Sequence, residues 1–302
     1  MDFTKVEEIE NGIILRTVRN FNLKHIFECG QCFRWNLEED GNYIGVAFER
    51  VIELQAIGED VAIYNTSLAE FNEIWLNYFD LKRDYLSLKE EFIKDPLLKE
   101  AVEFGHGIRL LQQEPFELIV SFIISSNNRI PMIKKCILNI SKKWGKKVEY
   151  KGKTYYTFPN VQDLHIAELE ELSACSTGFR AKYIKDTVDK IYNNKSEEVY
   201  ENSYDINWIK SQPDQDCHEA LQKFTGVGPK VADCIMLFSM SKYSAFPVDV
   251  WVKRAMQYFY LAPDVSLKKI RGFAIDKFGN QAGFAQQYLF YYARENNISV
   301  DK

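Results

Sequence analysis

Two hydrophobic rhythms divide the chain. Between residues 13 and 64 the apolar positions alternate with polar ones in short runs, Ile13 to Val18, Phe33 to Asn36, Tyr43 to Phe48, Val51 to Ala56 and Val61 to Tyr64, with Asp40-Gly41-Asn42 and Gly58-Glu59-Asp60 between them. Successive side chains of a strand point to opposite faces, so a period of two broken by turn residues predicts a small antiparallel sheet. Ser67 then stands where an N-cap belongs, before Leu68, Phe71, Ile74, Trp75, Tyr78 and Phe79 on a shared helical face, and Tyr85 to Phe92 reads as a further helix packed on the sheet. Residues 1–114 are expected to form an α+β domain.

From Pro115 onward the rhythm lengthens. Ile133, Cys136, Ile137, Ile140 and Trp144 make an apolar stripe, with Pro131 suited to a first turn and Gly145 to a stop. Further helices are expected through Leu164 to Cys175, Ala181 to Tyr192, Asp216 to Phe224, Val231 to Ser241, Asp249 to Tyr260, Ser266 to Phe278 and Ala282 to Arg294. There are no internal repeats and no low-complexity segments. The expected fold class is α+β: an N-terminal antiparallel β-sheet domain with helices, followed over residues 115–302 by an all-α bundle.

Composition narrows the setting. The length of 302 residues exceeds the usual single domain, and 46% hydrophobic with 14% aromatic residues supplies enough apolar surface for substantial cores. The first residues lack the regions of a signal peptide and no apolar run approaches membrane-spanning length, so a soluble, intracellular protein is expected. Its six cysteines are then expected as reduced thiols. Cys29-Gly30-Gln31-Cys32 has the spacing of a redox pair or half a zinc site, but no second pair exists and Phe33-Arg34-Trp35 continues as alternation, so neither use is expected. The net charge of −5 argues mildly against a nucleic-acid partner, yet Arg129, Lys134, Lys135, Lys142, Lys143, Lys146, Lys147, Lys151 and Lys153 face only Glu149 between residues 121 and 153. That stretch permits DNA binding, and equally reads as a solvated face.

The candidate chemistry sits around Leu221-Gln222-Lys223-Phe224-Thr225-Gly226-Val227-Gly228-Pro229-Lys230-Val231-Ala232-Asp233-Cys234, which reads as helix, tight hairpin, helix. Backbone N–H groups at Gly226, Val227 and Gly228, at the positive end of the second helix dipole, suit a phosphate. Lys230 falls in that helix's first turn, where the positive field disfavours an ammonium and favours a nucleophilic amine. A carboxylate follows in Phe246-Pro247-Val248-Asp249-Val250-Trp251, with Asp249 placed to cap another helix. By residue type alone a Gly-x-Gly before a helix is a common turn, such a lysine is usually solvated and such an aspartate is usually only a cap.

The whole string resembles the helix-hairpin-helix glycosylase superfamily, whose signature is this hairpin followed at similar spacing by Pro-x-Asp. Within it the chain is similar, over most of its length, to the 8-oxoguanine DNA glycosylase/lyases. The resemblance implies that Lys230 attacks the anomeric carbon of a flipped nucleotide, that Asp249 stabilises the cationic sugar as the base leaves, and that a Schiff base then permits β-elimination. It implies a base pocket formed by Gly30, whose carbonyl accepts from N7 of 8-oxoguanine, by Cys234 one helical turn after Lys230, by Gln286 on the Watson–Crick edge and by Phe290 stacked on the base. Ser125-Ser126-Asn127-Asn128 resembles the loop that enters the stack, with Asn127 filling the vacated space, and Phe179-Arg180 resembles the wedge pair, Arg180 donating to the orphaned base.

Two positions depart from the eukaryotic-type pattern. Met132 stands where an arginine helps grip the orphaned cytosine, which puts opposite-base selectivity in doubt, and Trp251 stands where a histidine is usual. The implied partner is damaged duplex DNA carrying 8-oxoguanine, opposite cytosine by preference but with relaxed selectivity, bound by a monomer. No cofactor is implied, and the absence of the C-terminal cysteine cluster of some superfamily members implies no metal. The rivals are a monofunctional alkylated-base glycosylase of the same superfamily, which lacks the lysine, and a noncatalytic phosphate-gripping hairpin module, which leaves Asp249 and the Gly30 segment unexplained.

Overall fold

The structure, a computed structural model, describes residues 1–194, 203–261 and 265–299. Its N-terminal part is built on a six-stranded antiparallel sheet in the order β1-β2-β6-β5-β4-β3, from Lys5–Ile9 (β1), Gly12–Arg16 (β2), Trp35–Leu37 (β3), Tyr43–Ala47 (β4), Arg50–Ile57 (β5) and Asp60–Tyr64 (β6). The alternation predicts five of these strands. It misses β1, because Lys-Val-Glu-Glu-Ile is a charged edge strand with no buried face to impose a period. Ile13, Leu15, Ile52, Leu54 and Ile63 pack on one side against Trp35, Phe71, Trp75, Tyr78 and Phe79. Ser67 caps the helical run from Leu68 to Tyr78 with a reciprocal bond to Glu70, as expected for a serine three residues ahead of a glutamate.

The Tyr85–Phe92 helix forms, but it packs on the helical part of the molecule and not on the sheet. Tyr85 meets the Phe284 ring at 5.7 Å and Phe92 meets Phe278 at 6.4 Å and Tyr288 at 6.2 Å. Its apolar face finds aromatic partners on the Ala282–Glu295 helix, while the sheet has already been covered by the Leu68–Tyr78 run. A neighbouring helix, Pro96–Phe104, is opened by Asp95 as cap with Pro96 behind it.

The second part is all-helical except for one hairpin. The Ile130–Trp144 helix carries the anticipated stripe, and Gly145 does end it, though by close approach rather than by a left-handed turn: its φ is −84°, and a Cβ there would lie 1.9 Å from the Thr157 carbonyl oxygen. The chain then forms Lys147–Tyr150 (β7) and Lys153–Tyr156 (β8), a hairpin hidden in the sequence by its lysines. Val148, Tyr150 and Tyr155 pack on Ile44, Val46 and Val51, covering the outer face of the N-terminal sheet. The single helix expected from Leu164 to Cys175 is instead Val161–His165, Leu169–Leu172 and a π turn over Ser173–Thr177, because Glu168 and Glu171 form a new capping box and Ser176 turns left-handed.

Candidate active site

The first hairpin helix, Asp214–Leu221, stops before Phe224, which together with Val227 turns into the core. Val227 is therefore not a free donor: its N–H binds the Phe224 carbonyl at 3.1 Å. That corrects the expectation that all three hairpin amides stand open. The N–H groups of Gly226 and Gly228 have no hydrogen-bond acceptor among the described residues. Gly226 has φ of +87° and lies so near Tyr183 that a Cβ would come within 2.7 Å of its ring, whereas a Cβ on Gly228 would meet nothing. One glycine packs the hairpin and the other leaves its outer face open to an anion.

Pro229 opens the second helix, Pro229–Ser239, and places Lys230 in its first turn. The Lys230 amine lies 5.4 Å from the centre of the Phe122 ring and in hydrogen-bond contact with the Cys234 thiol. Burial pushes that thiol up to about 11, against the lowering pull of the Lys230 charge, so Cys234 stays protonated at neutral pH. Asp249 caps the Val250–Phe259 helix, accepting from the Val252 N–H at 2.8 Å. Burial raises its carboxyl above the ordinary aspartate value, with the Val252 bond and the Lys230 charge acting in the opposite sense. The cap and the candidate charge-stabilising carboxylate are thus one group.

A single cleft of about 730 Å³ collects Lys230, Asp249, Gly30, Cys234, Gln286, Phe290, Asn127, Gly226 and Gly228 in its lining, together with Trp251. These come from five separate stretches of chain. Gln286 is 4% exposed and its Oε1 has no hydrogen-bond partner, an unmet buried acceptor on a helix that also carries the cleft residues Gln287 and Phe290. Met132, Phe179, Arg180 and Val227 do not line the cleft. Met132 and Phe179 sit outside it as exposed apolar side chains, at 41% and 56%.

Arg180 is buried, and two of its three guanidinium nitrogens are already bonded. Nε donates to the Ser126 carbonyl at 3.0 Å and Nη2 to the Asn127 carbonyl at 3.0 Å, so the arginine holds the Ser125–Asn128 loop in shape. Asn127 takes the left-handed conformation there, with φ of +50°, which asparagine tolerates better than most residues. The expected donor to an orphaned base is therefore, in this state, the scaffold of the loop that would enter the stack.

The basic stretch is not an open face either. Lys143 pairs with Glu171 at 2.8 Å, Lys146 with Glu49 at 2.8 Å, Lys151 with Glu53 at 2.7 Å and Lys153 with Glu38 at 2.6 Å, while Lys134 donates to the Trp35 carbonyl at 2.6 Å. Part of the apparent excess charge, Lys146, Lys151 and Lys153, ties the β7–β8 hairpin to glutamates of the N-terminal sheet, and Lys143 pairs within the helical part. Opposite charges distant in sequence were invisible to a local count.

Sequence reading also misses part of the lining: Cys29, Phe33, Phe122, Gln287 and Arg294. A signal existed for Arg294, which follows Gln286 and Phe290 at intervals of four along the Ala282–Glu295 helix and so shares their face. None existed for Phe122, an apolar residue in an apolar helix. Cys29 and Cys32 are separately buried free thiols, donating to the Ile26 and Phe27 carbonyls. No group of side chains suited to a metal occurs among the described residues, and none of their helices is long and apolar enough to cross a membrane.

Comparison with known proteins places this geometry. Residues 13–119 match the model of the 8-oxoguanine DNA glycosylase N-terminal domain, and residues 120–278 match that of the HhH-GPD superfamily of base excision DNA repair proteins. The chain is similar to a crystal structure of the Clostridium acetobutylicum 8-oxoguanine glycosylase/lyase in complex with double-stranded DNA containing cytosine opposite 8-oxoguanine, at 63% identity and a TM-score of 0.94, covering 99% of this chain and 100% of that one. It is 32% identical over 278 residues to the N-glycosylase/DNA lyase OGG1 of Arabidopsis thaliana, covering 87% of this chain and 75% of that protein. It is also 32% identical over 240 residues to a probable N-glycosylase/DNA lyase of Methanothermobacter thermautotrophicus, covering 73% of this chain and 74% of that one.

Proposed function

We propose, since this chain belongs to the HhH-GPD superfamily of base excision DNA repair proteins, that Lys230 is the nucleophile and Asp249 the electrostatic partner of its reaction. The protein is a DNA N-glycosylase with DNA lyase activity that removes 8-oxoguanine from duplex DNA. The observation that supports the residue assignment is the lining of one cleft by an amine and a carboxylate set on two helix starts, beside a glutamine with an unmet buried acceptor.

The chemistry follows from those positions. A base within the helix is out of reach, so the nucleotide turns out of the stack, with Asn127 at the cleft mouth on the loop that takes its place. The Gly226 and Gly228 amides hold a backbone phosphate at the start of the Lys230 helix. The Lys230 Nζ forms a bond to C1′ as the bond from C1′ to N9 breaks, and the Asp249 carboxylate faces the positive charge that develops on the sugar. Loss of the ring oxygen from C1′ gives an iminium linking lysine and sugar. Removal of a C2′ proton then expels the 3′ phosphate by β-elimination.

Recognition of the base rests on the opposite wall. The Gly30 carbonyl accepts from N7, where 8-oxoguanine carries a hydrogen and guanine a lone pair, and Gln286 reads the Watson–Crick edge. Phe290 stacks on the base and Cys234 lines the pocket below it. Incubating an 8-oxoguanine duplex with borohydride tests the assignment: the wild type is expected to give a covalent adduct, and Lys230→Gln to give none while still binding the duplex. Normal trapping by that variant would remove Lys230 from the reaction.

A further inference from the structure

We propose that Gln287 and Arg294 are positioning residues that hold the wall peptide of the base pocket so that the Gly30 carbonyl alone is left open as an acceptor, and so set the preference for bases with a hydrogen at N7. The inference rests on the reading of Gly30 given above and says what makes that reading work.

Four consecutive carbonyls run along this wall. The Glu28 carbonyl accepts from Arg294 Nη2, the Cys29 carbonyl from Gln287 Nε2 at 2.5 Å, and the Gln31 carbonyl from Gln113 Nε2 at 2.8 Å. The Gln31 side chain anchors the same segment from behind, donating to the Ile26 and Arg109 carbonyls and accepting from the Leu111 N–H. The Gly30 carbonyl has no donor among the described residues, although Gly30 lines the cleft. Three satisfied carbonyls around one open acceptor is the pattern of a site waiting for a donor.

Glycine at this position creates the need for clamps. Its φ is +81°, strained for any other residue, and a Cβ would press on the Phe290 ring at 3.0 Å. The same absence of a side chain makes rotation of the adjoining peptides cheap. An acceptor that swings away would be replaced by an N–H, which reverses the preference between guanine and 8-oxoguanine. Gln287 and Arg294 fix the two carbonyls immediately before it, and both stand on the Ala282–Glu295 helix that also carries Gln286 and Phe290. One rigid helix therefore both contacts the base and aims the acceptor that selects it.

The test separates base recognition from the chemistry at the sugar. Gln287→Leu and Arg294→Met are compared with wild type in single-turnover excision of 8-oxoguanine and in cleavage at a preformed abasic site, where no base is read. Excision is expected to fall by about tenfold or more, with abasic-site cleavage staying within about twofold, the split that marks an interaction made only with the base. In a Lys230→Gln background the same substitutions are expected to narrow the ratio of affinities for 8-oxoguanine and guanine duplexes. Wild-type excision in both variants, an unchanged affinity ratio, or abasic-site cleavage falling in parallel with excision would overturn the proposal. Arg294 has an 18% exposed side chain, so Arg294→Met decides the matter alone if Gln287→Leu does not fold. Borohydride trapping at the abasic site depends on Lys230 and not on Gly30, so failure of the clamp and failure of the lysine assignment give different results.

Discussion

The floor of the cleft and its rim are built on opposite plans. On the floor, Gln286 and Gln287 are buried and three of the four carbonyls along the Gly30 wall are bonded, while the Gly30 carbonyl and Gln286 Oε1 are left as open acceptors. At the rim, Phe179 and Met132 lie exposed, and the one buried cation, Arg180, bonds to the backbone of its own loop. On the site assignment proposed above, the damaged base meets a preorganised wall, so its recognition costs little rearrangement. On the same assignment the opposite strand meets apolar surface and an arginine anchored to its own loop through Nε and Nη2, with Nη1 left to donate. The difference teaches that, on the site assignment proposed above, lesion recognition rests on a buried, bonded wall, whereas contacts to the opposite base come from a rim of exposed side chains and one loop-bound arginine.

The sharpest way to break this contrast is at the floor. Asp249→Asn is expected to slow base release by about 10²–10³, the usual loss when a group aimed at developing charge is removed. Because burial raises the Asp249 carboxyl above the ordinary aspartate value, protonation sets in at higher pH than for a solvated aspartate, and excision by wild type is expected to decline on the acid side accordingly. That acid limb should vanish in Asp249→Asn. A pH–rate profile retaining the limb would assign it elsewhere.

Next in size, Gln286→Ala should weaken 8-oxoguanine excision by about 1–3 kcal/mol of transition-state stabilisation, measured in single turnover, since the substitution leaves a buried base edge unpaired. The rim should respond less. Wild type is expected to excise 8-oxoguanine opposite adenine, guanine or thymine with a small penalty relative to cytosine, and Met132→Arg to add part of the roughly 1–3 kcal/mol that a bidentate donor contributes to discrimination. Rates on the four duplexes decide it, and strict cytosine dependence in wild type would place a selective contact at the rim after all.

The smallest effects concern charge. Lys153 is bound to Glu38 at the surface, so Lys153→Ser is expected to leave affinity for lesion duplex within about twofold and thermal stability nearly unchanged. Arg129 has no carboxylate partner among the described residues and immediately precedes the Ile130–Trp144 helix at the rim. Arg129→Ser should weaken binding of damaged and undamaged duplex alike and reduce the salt dependence of affinity by about one ion, checked by titration across salt concentrations.

The legible parts of this molecule were those whose physics is local. The sheet face covered by the aromatic helical run imposes a period of two, so five of the strands could be read, while β1 and the β7–β8 hairpin, rich in charge, could not. The Gly-x-Gly, Pro229, Lys230 and the Asp249 cap are fixed by backbone geometry within a few residues, and they stand where their spacing puts them. What the chain could not announce was partnership at a distance. The lysines between residues 134 and 153 read as a basic face until the tertiary fold set Glu38, Glu49 and Glu53 of the sheet and Glu171 of the helical part against four of them. Arg180 read as a donor for DNA until the fold gave it the Ser126 and Asn127 carbonyls. Glycine at position 30 marked a close approach, but which of the neighbouring carbonyls would stay open depended on Gln113, Gln287 and Arg294, brought there from the far side of the chain. Local geometry is written in neighbouring residues, and satisfaction of buried polar groups is written only in the packed structure.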